Sequence, residues 1–387
     1  MAHYFDHNAT TPLSEEVLEC LTRVLRECYG NPSSIHTAGQ RARQTVEQAR
    51  AQVARWLQAE PREVVFTSGG TESDNLAIFG IMRRNGGAAG KHVITTTIEH
   101  PAVLGACAQL EREGARVTRV RVGSGGVVEA EEVRKALRPE TALITVMHAN
   151  NETGAVQPIE AIAEIAREAG APLHSDGVQA AGRLATDVRT LGVDLYSLSG
   201  HKLNAPKGVG VLWVRDGVRL EALQHGGRHE RERRAGTENV PGIAALGSAA
   251  GWLLEHGAEE ARRVAALRDR LETAIIQNVP GTRVNAGSAP RTPNTTNVLF
   301  EGVAGEALAI ALDLAGFQVS TGAACSSGAV EPSHVLMAMG LDAAEARSSI
   351  RFSLGRSNDE AQVDALIEAL RGAVERLRKL APGRDRA

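Results

Sequence analysis

Val64-Val65-Phe66-Thr67-Ser68-Gly69-Gly70-Thr71-Glu72-Ser73 passes from a short apolar, β-branched run through two glycines into a helical pattern that continues to residue 84. A strand, a tight turn and a helix start packed so closely are the unit from which α/β sheets are built. Further short apolar runs follow at residues 92–94, 143–146, 171–174, 195–198 and 209–213, with helical spacing between most of them, at 101–113 and 159–169 among others. This alternation predicts a mainly parallel, buried sheet whose functional loops gather at one strand edge. Gly is plentiful at 40 residues while Phe, Trp and Tyr total 6, 3 and 3, which suits many tight strand-to-helix turns.

Upstream of the quoted stretch, Leu13, Val17, Leu18, Leu21, Val24 and Leu25 repeat at helical spacing behind Ser14, until Gly30-Asn31-Pro32 stops the helix. A second helix is expected over 39–57. Beyond Val240-Pro241 the pattern changes to a long Ala/Leu/Arg-rich helix at 258–276, strands at 297–300 and 349–353, and helices at 306–314 and 359–380. The expected organisation is a large unit over 13–255 and a small α+β unit over 256–387, joined by residues 1–12.

At 387 residues the chain is long enough to bury a large core without staples. Hydrophobic residues at 43% and charged residues at 23% exclude wholesale disorder, and a net charge of -3 gives no pull toward nucleic acid or anionic membrane. Cys20, Cys28, Cys107 and Cys325 show no CxxC spacing, so neither a zinc site nor a disulfide framework is expected. No apolar run approaches a membrane span, and Asp6, Glu15 and Glu16 occupy the region where a signal peptide needs an apolar stretch. The expected compartment is the cytoplasm.

Three features carry chemistry. The free N–H groups where the helix opens after Gly69-Gly70 can cradle a phosphate, although a tight turn with a Thr or Ser cap reads the same in isolation. The segment matches neither the dinucleotide nor the Walker pattern. Lys202, in Leu195-Tyr196-Ser197-Leu198-Ser199-Gly200-His201-Lys202, stands just past a buried strand, where a crowded lysine can lose its proton and attack a carbonyl. Asp176, in Leu173-His174-Ser175-Asp176-Gly177-Val178-Gln179, ends another strand. Together they suggest pyridoxal 5'-phosphate, with its aldehyde to the lysine, its ring nitrogen to the aspartate and its phosphate to the helix start.

The chain resembles the cysteine desulfurases of the NifS/IscS type, in the class V branch of fold-type I pyridoxal-phosphate enzymes. Matching stretches include Asp6-His7-Asn8-Ala9-Thr10-Thr11-Pro12, residues 67–75, Glu99-His100, 147–154, 174–179, 199–202, Arg234-Ala235-Gly236-Thr237-Glu238-Asn239, 320–327 and 349–356. His7, Ser175 and Asn204-Ala205 depart from the family's usual residues.

The resemblance implies a seven-stranded, mainly parallel sheet flanked by helices, with a smaller C-terminal α+β unit carrying a catalytic cysteine. It implies Lys202 as the Schiff-base lysine, Asp176 as the pyridinium partner and Gln179 on the ring's phenolic oxygen. His100 would stack over the ring and relay protons. Thr71, Ser199 and His201 would bind the phosphate beside the backbone of Glu72, and Thr237 would reach the phosphate of a partner subunit in a homodimer. Asn151 would touch cofactor and substrate, and Arg351 would clamp the carboxylate of L-cysteine.

Cys325 decides the reaction that the resemblance implies. It sits among small residues, Thr321-Gly322-Ala323-Ala324-Cys325-Ser326-Ser327-Gly328-Ala329, a composition that suits a loop. The family places its sulfur-accepting nucleophile there, and a persulfide on Cys325 would be handed to an acceptor protein such as an iron–sulfur scaffold. Cys325 is also where an iron–sulfur cluster would find a ligand. An aminotransferase or selenocysteine lyase of the same superfamily, and a non-catalytic sulfur-relay partner, remain the alternatives at the level of sequence.

Overall fold

The computed structural model describes residues 2–322 and 331–380. Its strands, in chain order, are β1 (His3–Tyr4), β2 (Val64–Thr67), β3 (His92–Thr96), β4 (Arg116–Val120), β5 (Thr141–Thr145), β6 (Leu173–Asp176), β7 (Leu195–Ser199), β8 (Gly210–Val214), β9 (Thr282–Asn285), β10 (Thr295–Phe300), β11 (Phe317–Gln318) and β12 (Ser349–Ser353). β2 to β8 form one seven-stranded sheet in the order β2-β8-β7-β6-β5-β3-β4. β8 alone runs antiparallel to its neighbours. β2, β3, β6, β7 and β8 are buried along their whole length, as two-sided coverage requires.

One face of the sheet packs against helices Thr37–Trp56 and Ile159–Ala169 and the first half of helix Val240–Asn278. The opposite face is covered by helices Gly70–Met82 and Pro101–Arg112 through Leu76, Phe79, Val103 and Leu110. A second core gathers Val264, Leu267, Leu271 and Ile275 from the same long helix with β10, β12 and helix Glu360–Leu380. The N-terminal strand joins this part of the molecule, because β1 pairs in parallel with β11.

Several elements differ from the sequence reading, and two of them are informative. The long helix starts at Val240 rather than 258, so the boundary expected after residue 255 falls inside it. Four glycines lower the helical signal of its first half, yet one of them is required by packing: a Cβ on Gly247 would stand 2.7 Å from Ala49 Cα. β4 has no apolar run to betray it. It is an edge strand whose Arg116 and Arg119 pair with Glu140 and Glu111, charges that protect an open sheet edge. Among the described residues no helix is long and apolar enough to cross a membrane.

Candidate active site

The carboxyl ends of β2, β3, β5, β6 and β7 open onto one cavity of about 400 Å³. Thr71, His100, Asn151, Asp176, Gln179, Ser199, His201, Lys202 and Arg351 all line it, so nine expected site residues from distant parts of the chain converge. Glu72 does not line the cavity, and its side chain is turned to Arg234 at 2.8 Å. Thr237 lies outside the cavity and is exposed. Cys325 lies outside the described residues, but Ser320 and Gly322, close before it in the chain, line the cavity.

The end of the cavity at the helix start is built by backbone. The first intrahelical bond after Gly69 runs from Ser73 N–H to Gly69 O at 3.1 Å, which leaves the amides of Gly70, Thr71 and Glu72 ahead of it at the helix start. Close approach fixes the glycines: a Cβ on Gly70 would meet Val178 Cγ2 at 2.8 Å, and a Cβ on Gly210 would meet Gly69 Cα at 2.6 Å. Ser199 faces this turn from the end of β7. His201 Nδ1 and Thr10 Oγ1 are hydrogen-bonded at 3.1 Å, and burial with nearby Lys202, Lys207 and Arg183 pushes the imidazole pKa down to about 4. A neutral imidazole with a free nitrogen suits an anion as a donor.

At the other end, Asp176 is 5% exposed, and its Oδ1 accepts the Val178 N–H at 2.9 Å. Gln179 is fixed from both sides: Nε2 donates to Asn8 O at 2.9 Å and Oε1 accepts from Arg183 at 2.7 Å. His100 caps helix Pro101–Arg112, with Nδ1 accepting the Ala102 N–H at 3.1 Å, so any ring proton sits on Nε2. Burial favours its neutral form, against the opposing pull of Asp176.

Lys202 donates to the carbonyls of Asn8 and Ala9, the latter at 2.7 Å. Burial, then the guanidinium charges of Arg183 and Arg351, bring its pKa from 10.5 to about 7 despite Asp6 and Asp176. An amine in that state is substantially unprotonated at neutral pH and therefore nucleophilic. The sign is direct: below about pH 7 the amine is charged and inert, and above it the amine is free. Capture of pyridoxal phosphate by cofactor-free protein, followed by stopped-flow absorbance, should quicken with pH and level off beyond a midpoint near 7. A midpoint near the ordinary lysine value would refute this account of the site.

Arg351 stands on β12, 4% exposed, and donates from Nη2 to Asp6 at 2.6 Å and from Nη1 to Asn151 O at 3.0 Å. Its Nε is buried without a partner among the described residues, a donor left over for a ligand carboxylate. Asp6, Asn8 and Asp74 were not expected at the site from sequence. Asn8 links the N-terminal segment to both sides of the cavity, donating to Asn151 O at 3.0 Å and to Thr295 at 2.9 Å while its carbonyl receives Lys202 and Gln179. No periodicity marks such residues, and only the fold brings them in.

The residues fit pyridoxal phosphate at each end: an amide cradle, a buried carboxylate, a depressed lysine and an orphaned guanidinium nitrogen. Comparison with known proteins agrees. The family model described as Aminotransferase class-V matches residues 3–366. A cysteine desulfurase of Nostoc sp. (strain PCC 7120) is 48% identical over 379 residues, covering 98% of this chain and 94% of the relative. A solved NifS-like protein superposes with a TM-score of 0.90 at 37% identity, covering 97% of this chain and 100% of the other. The structure of SspA in complex with cysteine gives 0.81 at 39% identity, covering 91% and 98%.

Proposed function

Because the chain belongs to the class-V aminotransferase family and is a cysteine desulfurase using pyridoxal 5'-phosphate, we propose that Lys202 holds the cofactor and Cys325 takes the sulfur. When bound, the cofactor supplies an aldehyde that condenses with amines and a protonated ring that accepts an electron pair. The amides of Gly70, Thr71 and Glu72, with Thr71, Ser199 and His201, would hold the phosphate. Asp176 would keep the ring nitrogen protonated, Gln179 would donate to the phenolic oxygen, and His100 would cover the ring.

Arg351, steadied by Asp6, receives the carboxylate of L-cysteine with Asn151 beside it. Lys202, in its neutral form, would take the Cα proton of the substrate. Cys325, as thiolate, attacks the substrate sulfur: the new S–S bond forms, the Cβ–S bond breaks, and the carbon skeleton takes up protons to leave as L-alanine. His100 is placed to carry one of those protons on Nε2. The persulfide on Cys325 then passes to an acceptor protein, with iron–sulfur scaffolds as the proposed class, in the cytoplasm. Exposed Thr237, outside its own cavity, supports a homodimer in which it completes the partner's phosphate site.

The convergence of Lys202, Asp176, the amide cradle and Arg351 on one cavity carries the reading. The test is a product balance. Purified protein loaded with cofactor should convert L-cysteine, with a thiol reductant present, to equal amounts of alanine and sulfide. Transamination of a keto acid without sulfide, or turnover of selenocysteine alone, would replace it with one of the superfamily alternatives.

A further inference from the structure

The cavity contains one acidic group that the reaction above does not use. Asp74 stands in the second turn of helix Gly70–Met82, 1% exposed, and borders the cavity. Its Oδ1 has no hydrogen-bond partner among the described residues, and His174 Nε2 stays 3.6 Å away. Oxygens of Asp74 and Asp176 and a nitrogen of His100 lie within 4.8 Å of one another. Two carboxylates so close in a dry site cannot both ionise cheaply, as paired catalytic carboxylates elsewhere illustrate.

Which of the two carries the proton follows from their surroundings. Burial raises the carboxyl of Asp176, and against that its Oδ1 accepts a backbone N–H and its neighbours His100 and Lys202 favour its charge whenever they are protonated. Asp74 faces two acids, Asp176 on β6 and Glu99 after β3, with the Ser197 hydroxyl on β7 opposing them, and His100, whose neutral form burial favours, lies within 4.8 Å of it as well. His174 on β6 offers no cation. Its Nδ1 meets Thr145 Oγ1 at 2.8 Å and its Nε2 meets Ser197 Oγ at 2.9 Å, and burial pushes its pKa down to about 3.

We propose that Asp74 is a positioning residue that keeps its proton through the neutral range and thereby concentrates the negative charge at that end of the cavity on Asp176. Burial and the charge of Asp176 both drive its carboxyl well above the ordinary range. A neutral acid there leaves a single anion facing the place of the ring nitrogen, where two competing anions would each be free to capture the proton meant for the ring. The consequence for the ring rests on Asp176 being the ring-nitrogen partner. The protonation of Asp74 does not, and it can be read without cofactor.

The experiment is infrared spectroscopy of the full chain, cofactor-free and cofactor-loaded, in H₂O and D₂O. Glu99 and Glu152 are also buried acids with raised pKa values, so the wild-type minus Asp74→Asn difference isolates the group in question. At neutral pH that difference should contain the deuterium-sensitive carbonyl band of an un-ionised carboxylic acid. In Asp176→Asn, which leaves Asp74 in place, the same band should titrate away at lower pH, by about one unit or more, because the neighbouring charge is gone. A merely structural Asp74 would show no such coupling. Absence of the band at neutral pH, or a titration unmoved by Asp176→Asn, would overturn the proposal. A chain that shows the band yet fails to take up pyridoxal phosphate would instead count against the cofactor assignment of Asp176.

Discussion

Lys202→Ala should abolish alanine formation from cysteine, by about 10⁴-fold or more, because the proposed mechanism gives this one side chain two tasks in series. The amine at the end of β7 is the group whose pKa the fold lowers to about 7, and none of the other cavity-lining residues is a lysine. Loss of a positioned acid–base group alone costs about 10²–10⁴-fold. Loss of the covalent anchor adds to this, because substrate must then form its linkage to a free aldehyde rather than by exchange. The cradle at Gly70, Thr71 and Glu72 is untouched by the substitution, so pyridoxal phosphate should still bind but leave on dialysis. The measurement is alanine release under single-turnover conditions, with and without a small primary amine that can refill the space. Partial rescue by the amine, rising with its basicity, is the expected signature of a missing base. Turnover within tenfold of the unaltered protein would remove Lys202 from the mechanism.

The strand–turn–helix segment at 64–73 was legible because its signal is local: β-branched residues, two glycines and a helical period stand side by side. The same holds for Asp176 and Lys202, each just beyond or at the end of a buried run. Arg116–Val120 was not legible because an edge strand needs no apolar face, and its arginines speak for solvent. Helix Val240–Asn278 was half hidden because Gly247 answers to a contact with Ala49, nearly two hundred positions away, rather than to helix propensity. Asp6 and Asn8 show the same limit at the site. Their motif was visible, but their partners Arg351, Lys202 and Gln179 lie far along the chain, and only tertiary structure assigns them work. Asp74 is the sharpest case. In sequence it is an ordinary polar residue at the start of an apolar helix, and its chemistry arises from burial and from Asp176 nearby in the cavity. At a separation of 4.8 Å or less, two ionised carboxylates would repel by at least about 3 kcal/mol at an effective dielectric constant of ~20.

Cys325→Ala should separate binding from sulfur transfer. The cavity residues proposed to hold cofactor and substrate are all elsewhere, so pyridoxal phosphate content and cysteine affinity should stay within about threefold of the unaltered protein. Alanine formation should nevertheless fall by at least ~10²-fold, since without a thiolate nothing accepts the sulfur and the Cβ–S bond has no route to break toward alanine. Among the cysteines, Cys107 is no substitute: burial raises its pKa to about 12, and it packs within the helix-covered face of the sheet. Cys28 is buried against Thr45, and Cys20 lies on helix Glu15–Glu27, neither of them lining the cavity. The decisive readout is mass spectrometry of the protein after one turnover without reductant. A gain of one sulfur atom on the peptide containing Cys325, lost on treatment with a thiol and absent from Cys325→Ala, would place the persulfide there. If the variant makes alanine at an undiminished rate, sulfur leaves directly to solution or to another group, and the proposed role of Cys325 fails even though the cofactor chemistry stands.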